Sequence, residues 1–245
     1  MASMQEIAAA AKTQTEFKCD RTLNLYKTPS LTGLVTQVAS GRQVAILQAQ
    51  PTQALQLRVC EDDYPGWLAL ADLDALTPTP AYRAPTLDAA TIQARIPQVI
   101  AFAQAAMAIP NHYHWGGTVA PNYDCSGLTQ AAFAAAGIWL PRDSYQQEAF
   151  TERVTEAHLQ PGDLIFFGTP VRTTHVALHL ENGRYIHSSG KDQGRNGIGI
   201  DALRDRTDPI SQRYFEQVRG YGRVVRSYQP TGQPIQLRTD TVQLH

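Results

Sequence analysis

The chain of 245 residues lacks any charge imbalance: 21 Lys and Arg stand against 22 Asp and Glu, for a formal net charge of -1 and a pI near 6.6. That balance leaves no electrostatic footprint for nucleic acid or an anionic membrane surface, so a partner must be chosen by local shape and chemistry. Cysteine is scarce. Cys19, Cys60 and Cys125 are odd in number and without metal-ligand spacing, which argues against a disulfide framework and a zinc site. Cys19 and Cys60 read as buried free thiols, with a single Cys19–Cys60 bridge as the alternative. No run of about 18 apolar residues occurs, which removes a transmembrane helix and with it membrane insertion. Met1 to Lys12 is alanine-rich but has no basic start followed by a long apolar run, so a secretory leader is not expected. The expectation is a cytoplasmic protein, or a periplasmic one if a leader has been removed. Internal repeats and low-complexity tracts are also missing.

What is present is an ordinary globular composition, 43% hydrophobic and 18% charged, long enough for two domains. From Phe17 to about Leu76, short segments rich in Leu and Val alternate with turns such as Thr28-Pro29-Ser30 and Ala39-Ser40-Gly41, the pattern of a small antiparallel barrel. Thr77 to Pro85 carries three prolines and reads as a stiff connector. The expected organisation is a 1–16 segment, a 17–80 barrel, an 81–90 linker, a 91–228 domain and a polar 229–245 tail. Thr91 to Met107 predicts a helix, with Ile92, Ile96, Val99, Ile100, Ala103 and Met107 on one stripe and Pro97 a local defect. Buried strands follow at Leu164 to Phe167, His175 to Leu180 and Arg184 to Ser188, with a further one at Gly197 to Ile200. Helices first and an antiparallel sheet after them predict an α+β domain.

Cys125 falls where the glycine-rich loop Tyr113-His114-Trp115-Gly116-Gly117 gives way to an alanine-dense helix that stops at Gly137. Asp124 is a good N-cap, and the free amides of a first helical turn favour a thiolate. Locally, a buried structural cysteine fits as well as a nucleophile. Downstream histidines shift the balance. A cysteine nucleophile needs a base, and the base needs a third group to fix its tautomer; Cys125, His175 and His187 can fill the three roles. A plain two-residue Asn182-Gly183 turn would set Leu178 opposite His187 and point the two imidazoles to opposite faces. A shared site therefore predicts an odd loop, most simply Glu181-Asn182-Gly183 with Gly183 left-handed, or a bulge in one strand.

In their order, Tyr113-His114-Trp115-Gly116-Gly117, Tyr123-Asp124-Cys125-Ser126-Gly127-Leu128, Pro141-Arg142-Asp143-Ser144, Pro161 to Phe167, His175 to Leu178 and Tyr185-Ile186-His187 resemble the NlpC/P60 family of cell-wall cysteine peptidases. The segment before them resembles a bacterial SH3-like domain, through its Asn24-Leu25-Tyr26, Ser40-Gly41 and Gly66-Trp67-Leu68 elements. The resemblance implies a papain-like catalytic domain behind an SH3-like barrel that serves either as a substrate-contact module or as a spacer. It implies Cys125 as nucleophile, His175 as base, His187 as the third polar residue and Tyr113 as an oxyanion donor. Ser126, Arg142, Asp143 and Ser144 are then expected along the substrate groove.

The two-domain order is similar to cyanobacterial γ-D-glutamyl-L-diamino acid endopeptidases. This implies a cofactor-free enzyme acting on peptidoglycan stems, L-Ala-γ-D-Glu-diaminopimelate; a monomer is expected, and a need for a free N-terminal amine together with the missing leader points to wall recycling. An amidase or acyltransferase on the same fold, or a non-catalytic wall-binding protein, are the rival readings. The acidic loop Glu61-Asp62-Asp63-Tyr64 is either a solvated turn or a gate in which Glu61, Tyr64 and Asp124 receive the free amine of the stem.

Overall fold

Leu23 and Leu25 are buried while Asn24 between them is exposed, the two-residue period of a strand with one dry face. In the computed structural model, which describes residues 15–50 and 54–237, this period gives seven strands in the first third. They are β1 (Glu16–Cys19), β2 (Leu23–Tyr26), β3 (Leu34–Val38), β4 (Gln43–Gln50), β5 (Ala54–Val59), β6 (Pro65–Ala69) and β7 (Leu76–Thr79). They form one antiparallel sheet in the order β3-β2-β6-β5-β4-β1-β7. Each strand contributes to a core that includes Phe17, Leu25, Val38, Val44, Leu57, Leu68 and Leu76, or lies beside those that do. The proline-rich stretch begins inside this sheet. Pro78 pairs with Phe17 from the edge strand β7, where a missing amide breaks no ladder on the outer side. Most of the expected 1–16 segment and the end of the expected tail lie outside the described residues.

Asp88 caps α1 (Ala89–Ala108) by accepting from the Thr91 amide at 2.7 Å. The helix runs through Pro97, whose lack of an amide breaks one ladder bond without ending it. Its residues Ile92, Ile96, Val99 and Ala103 are buried. The short pair β8 (Thr118–Val119) and β9 (Asn122–Tyr123) leads into α2 (Cys125–Ala135). That helix stops at Gly137, left-handed at φ 72°, where the amides of Gly137 and Ile138 return to Ala134 and Phe133. After α3 (Ser144–Phe150) come β10 (Glu152–Val154), β11 (Leu164–Thr169), β12 (Arg172–His179), β13 (Arg184–Ser189), β14 (Gly197–Ala202), α4 (Pro209–Phe215) and β15 (Val218–Arg223). The six strands form an antiparallel sheet in the order β10-β15-β11-β12-β13-β14. Alternation splits its two faces. Leu164, Phe166, Val176, Leu178 and Ile186 pack against α1 and α2, while Ile165, Phe167, Ala177 and Tyr185 join Leu203 and Tyr214. This is the α+β arrangement expected, with an all-β body before it.

The two bodies meet along a polar seam. Thr118 bonds Gln37 through its amide and its hydroxyl, at 3.2 and 2.7 Å, and Arg142 donates to the Thr36 hydroxyl at 3.0 Å. Gln130 of α2 donates to Asp62 at 2.8 Å, and the Arg42 guanidinium lies 4.6 Å over the Trp139 ring. Residues after β15 fold back to the same place. The amides of Thr231, Gly232 and Ile235 all donate to Asp63, the first two to its carboxylate and the last to its carbonyl.

Candidate active site

Asp124 organises the start of α2. One of its oxygens accepts from the Gly127 amide at 2.6 Å, the other from the Gly116 amide at 2.9 Å, and the Arg142 guanidinium forks onto both. Arg142, 1% exposed, also donates to the Ser126 hydroxyl at 2.9 Å. The Tyr113 loop, the helix start and the turn before α3 are thus fastened to one carboxylate. Gly116, at φ 80°, lies so close to the Leu34 backbone that a β-carbon there would collide with it.

Cys125 opens the helix and is 7% exposed. Burial pushes its thiol up to about 12, and the Asp124 carboxylate adds to that push. Hydrogen bonds from the Val176 and Ser126 backbone and the Arg142 charge pull the other way, and they do not prevail. The helix start does pull toward the thiolate, as expected, through the Ser126 amide, but burial outweighs it. At neutral pH Cys125 rests as the thiol.

β12 and β13 pair Leu178 with Ile186 and His179 with Tyr185, so residues of like parity share a face. Asn182 and Gly183 turn the chain with left-handed backbones, φ 55° and 70°. The Arg184 amide donates to the Glu181 carbonyl while the Leu180 amide donates to the Arg184 carbonyl, so Leu180 and Glu181 together oppose Arg184. The extra residue that the parity argument demanded is there, as a bulge beside the turn. His175 Nε2 and His187 Nδ1 consequently stand 2.7 Å apart.

The pair is buried, His187 completely. His187 Nε2 lies 2.6 Å from Asp201 Oδ2 on β14, and Arg195 ion-pairs with the other oxygen of that carboxylate. Tyr214 of α4 packs its ring 4.7 Å from His175 and 4.8 Å from His187, and its hydroxyl is 2.6 Å from that of Ser189. Burial holds His175 well below the usual histidine range, with the nearness of His187 acting in the same direction. It lowers His187 too, against the pull of Asp201. Both imidazoles are neutral at pH 7. Asp201 and Tyr214 were not singled out in the sequence. The alternation Gly197, Gly199, Asp201 marks one strand face, but only the pairing of His187 with Gly199 shows that Asp201 meets the histidine.

Tyr113 lies within electrostatic reach of the cysteine: burial first, and then the Cys125 sulfur, push its hydroxyl far up, so it stays a neutral donor. The acidic loop is neither a solvated turn nor an open gate. Glu61, Asp62, Asp63 and Tyr64 are 3%, 2%, 0% and 4% exposed. Glu61 accepts from Arg42 and from the Gln43 amide, and Asp124 is held by Arg142, so these two carboxylates are spent inside the protein. The expectation that they receive a substrate ammonium is corrected. Tyr64 instead donates to both oxygens of Asp143, at 3.2 and 3.3 Å. Burial pushes the Asp143 carboxyl up to about 6; Arg142 and Tyr64 pull it down, whereas Asp124 and Asp62 raise it. Ser126 is occupied by Arg142 and Asp124, and Ser144 is buried as the first residue of α3 behind the Asp143 cap.

Residues 110–219 match the sequence profile of the NlpC/P60 family, and residues 25–73 match the bacterial dipeptidyl-peptidase Sh3 domain. Peptidoglycan endopeptidase RipB of Mycobacterium tuberculosis is 34% identical over 186 residues, 66% of this chain and 74% of that protein. Probable endopeptidase p60 of Listeria monocytogenes is 39% identical over 101 residues, 41% of this chain; the chain spans 20% of that protein's length. A solved structure of an NlpC/P60 family protein from Bacillus cereus aligns over 90% of this chain and 66% of its own, at 25% identity and a TM-score of 0.47.

Proposed function

The chain belongs to the NlpC/P60 family, and we propose that it is a cysteine endopeptidase that cuts the γ-D-Glu–diaminopimelate bond of peptidoglycan stem peptides. The observation that carries this reading is the buried His175–His187 pair, 2.7 Å apart on one face, with the residue after His175, Val176, meeting the sulfur of a cysteine at a helix start through its backbone. Cys125 sulfur attacks the γ-carbonyl as His175 takes its proton. Tyr113 and the amides of the first turn of α2 receive the oxyanion. His175 then gives the proton to the departing amine, leaving a thioester, and draws a proton from the water that hydrolyses it. Because the thiol is not ionised at rest, proton transfer accompanies attack rather than preceding it.

Asp143 and Tyr64 read the other end of the substrate. A carboxyl raised by burial and by two neighbouring acids gains most from an incoming cation, and the ammonium of an N-terminal L-Ala is of that kind. An enzyme that requires this free amine works on stems already detached from glycan. On this reading it works in wall recycling, as a monomer in the cytoplasm. Mass spectrometry of a digest of L-Ala-γ-D-Glu-diaminopimelate and of its N-acylated form tests the reading. Cleavage of the free form in preference to the blocked one supports it. Acyl transfer or amide release assigns the fold to the amidase or acyltransferase class, and binding without any product makes the chain a wall-binding protein.

A further inference from the structure

The histidine pair ends on a charged group that the reaction itself never touches. Asp201 Oδ2 lies 2.6 Å from His187 Nε2, and that distance is a hydrogen bond only if the nitrogen carries the proton, since two lone pairs at such separation repel. A neutral imidazole has one ring proton, so His187 Nδ1 is then an acceptor. At 2.7 Å from Nδ1, His175 Nε2 must be the donor. His175 therefore keeps its lone pair on Nδ1, the nitrogen not engaged by His187. We infer that Asp201 sets the tautomer of the base across two imidazoles, and is a positioning residue for the reaction proposed above, on which its catalytic part rests.

Three further features hold Asp201 to that task. Arg195 engages its second oxygen, and the hydrogen bond from His187 and the Arg195 charge keep the carboxyl ionised although burial opposes them. Gly199, opposite His187, leaves room for the Arg195 side chain, which a β-carbon there would strike. The Tyr214 ring covers both imidazoles, which keeps water from offering a competing partner. When His175 takes the proton of Cys125, the charge formed is met through His187 by a carboxylate that is already in place. A base whose conjugate acid is penalised by burial needs that support.

Asp201→Asn gives a sharp test, because Arg195 decides how the new amide lies. The guanidinium has no use for an NH2 group, so the amide oxygen faces Arg195 and the NH2 faces His187. His187 must then accept at Nε2 and donate from Nδ1, and His175 is forced to carry its proton on Nδ1, the wrong atom. In the wild type, 15N-histidine NMR is expected to show Nε2–H on both residues; in Asp201→Asn both move to Nδ1–H. Alkylation at Cys125 by iodoacetamide at pH 7, followed by peptide mapping, is expected to slow at least ~10-fold, and kcat to fall by roughly 10²–10⁴ with KM little changed. A wild-type His175 with its proton on Nδ1 overturns the inference whether or not the variant folds. So does a variant that keeps the wild-type tautomers, or that loses them at an unchanged alkylation rate. Neither spectrum nor alkylation uses the peptide, so a protein that shows the expected tautomers but cuts no stem overturns the functional reading alone.

Discussion

The barrel core around Cys19 and the helix start at Cys125 treat a thiol in the same way: each is buried, free, and pushed up to about 12 by the loss of water. Each also stands near an acid and an arginine, Glu61 and Arg42 for Cys19, Asp124 and Arg142 for Cys125. Acidity therefore does not distinguish the two sites. What differs is the company in the next layer. Around Cys19 lie Leu23, Val44 and other apolar side chains of a closed core, whereas the Cys125 sulfur meets the backbone of Val176, the residue after His175, and lies in electrostatic reach of Tyr113 and Tyr214. On the proposed mechanism, Cys125 differs from Cys19 by the neutral histidine on the neighbouring strand, not by being ionised.

The comparison breaks most visibly if the thiols are exchanged for methyl groups. Cys125→Ala is expected to lower kcat by at least ~10³-fold, with thermal unfolding little changed, while Cys19→Ala and Cys60→Ala leave turnover within about twofold. Stem cleavage by Cys125→Ala at a comparable rate would end the assignment. On the barrel side the largest effect falls on stability. Asp63→Ala takes the nearer carboxylate from the buried Arg58 guanidinium and strands four donors of the returning chain, the hydroxyls of Tyr228 and Thr231 and the amides of Thr231 and Gly232, and urea titration is expected to show a loss of about 3–5 kcal/mol. A loss below about 1 kcal/mol would mean that the acidic loop is not the clamp it looks to be.

A pH series sharpens the contrast between base and reader. His175 is neutral in the fold down to well below pH 6.5, so kcat should hold as the pH falls from 7 to 6. Asp143 has its folded carboxyl raised to about 6, so its charge, present above that pH, is lost as the pH falls through it. KM for a free-amine stem is expected to rise several-fold between pH 7 and 5, a rise that Asp143→Asn abolishes. A KM flat across that range would remove Asp143 as the reader. The smallest expected effect is that of Tyr64→Phe, which removes one hydroxyl from Asp143 and should weaken the preference for free over N-acylated stems by about three- to tenfold.

The parts of the site legible in the sequence were those written in contiguous residues. Asp124-Cys125 declares a cap and a helix start by itself, and the histidine parity followed from counting along two strands. The burial of the acidic loop is not legible in the sequence, because beside Arg42 and Arg58 its partners are Gln130, Asp143, Tyr228 and Thr231, up to 168 positions away, and no local pattern says that a run of acids will be buried. Pro78 was placed in a connector although it sits in a strand, since proline is tolerated there only because β7 is an edge. Asp201 escaped because the Lys191–Gln193 turn and the residues around it set a register that the sequence does not print.

The return of the chain to Asp63 orders events in time. Asp63 takes Arg58 from its own sheet, a bond that can form once the barrel strands have been made. The amides of Thr231, Gly232 and Ile235 reach it only after the whole α+β body has left the ribosome. Until that stretch is made, the Asp63 carboxylate has Arg58 and water as partners, and its remaining protein donors arrive with the end of the second body.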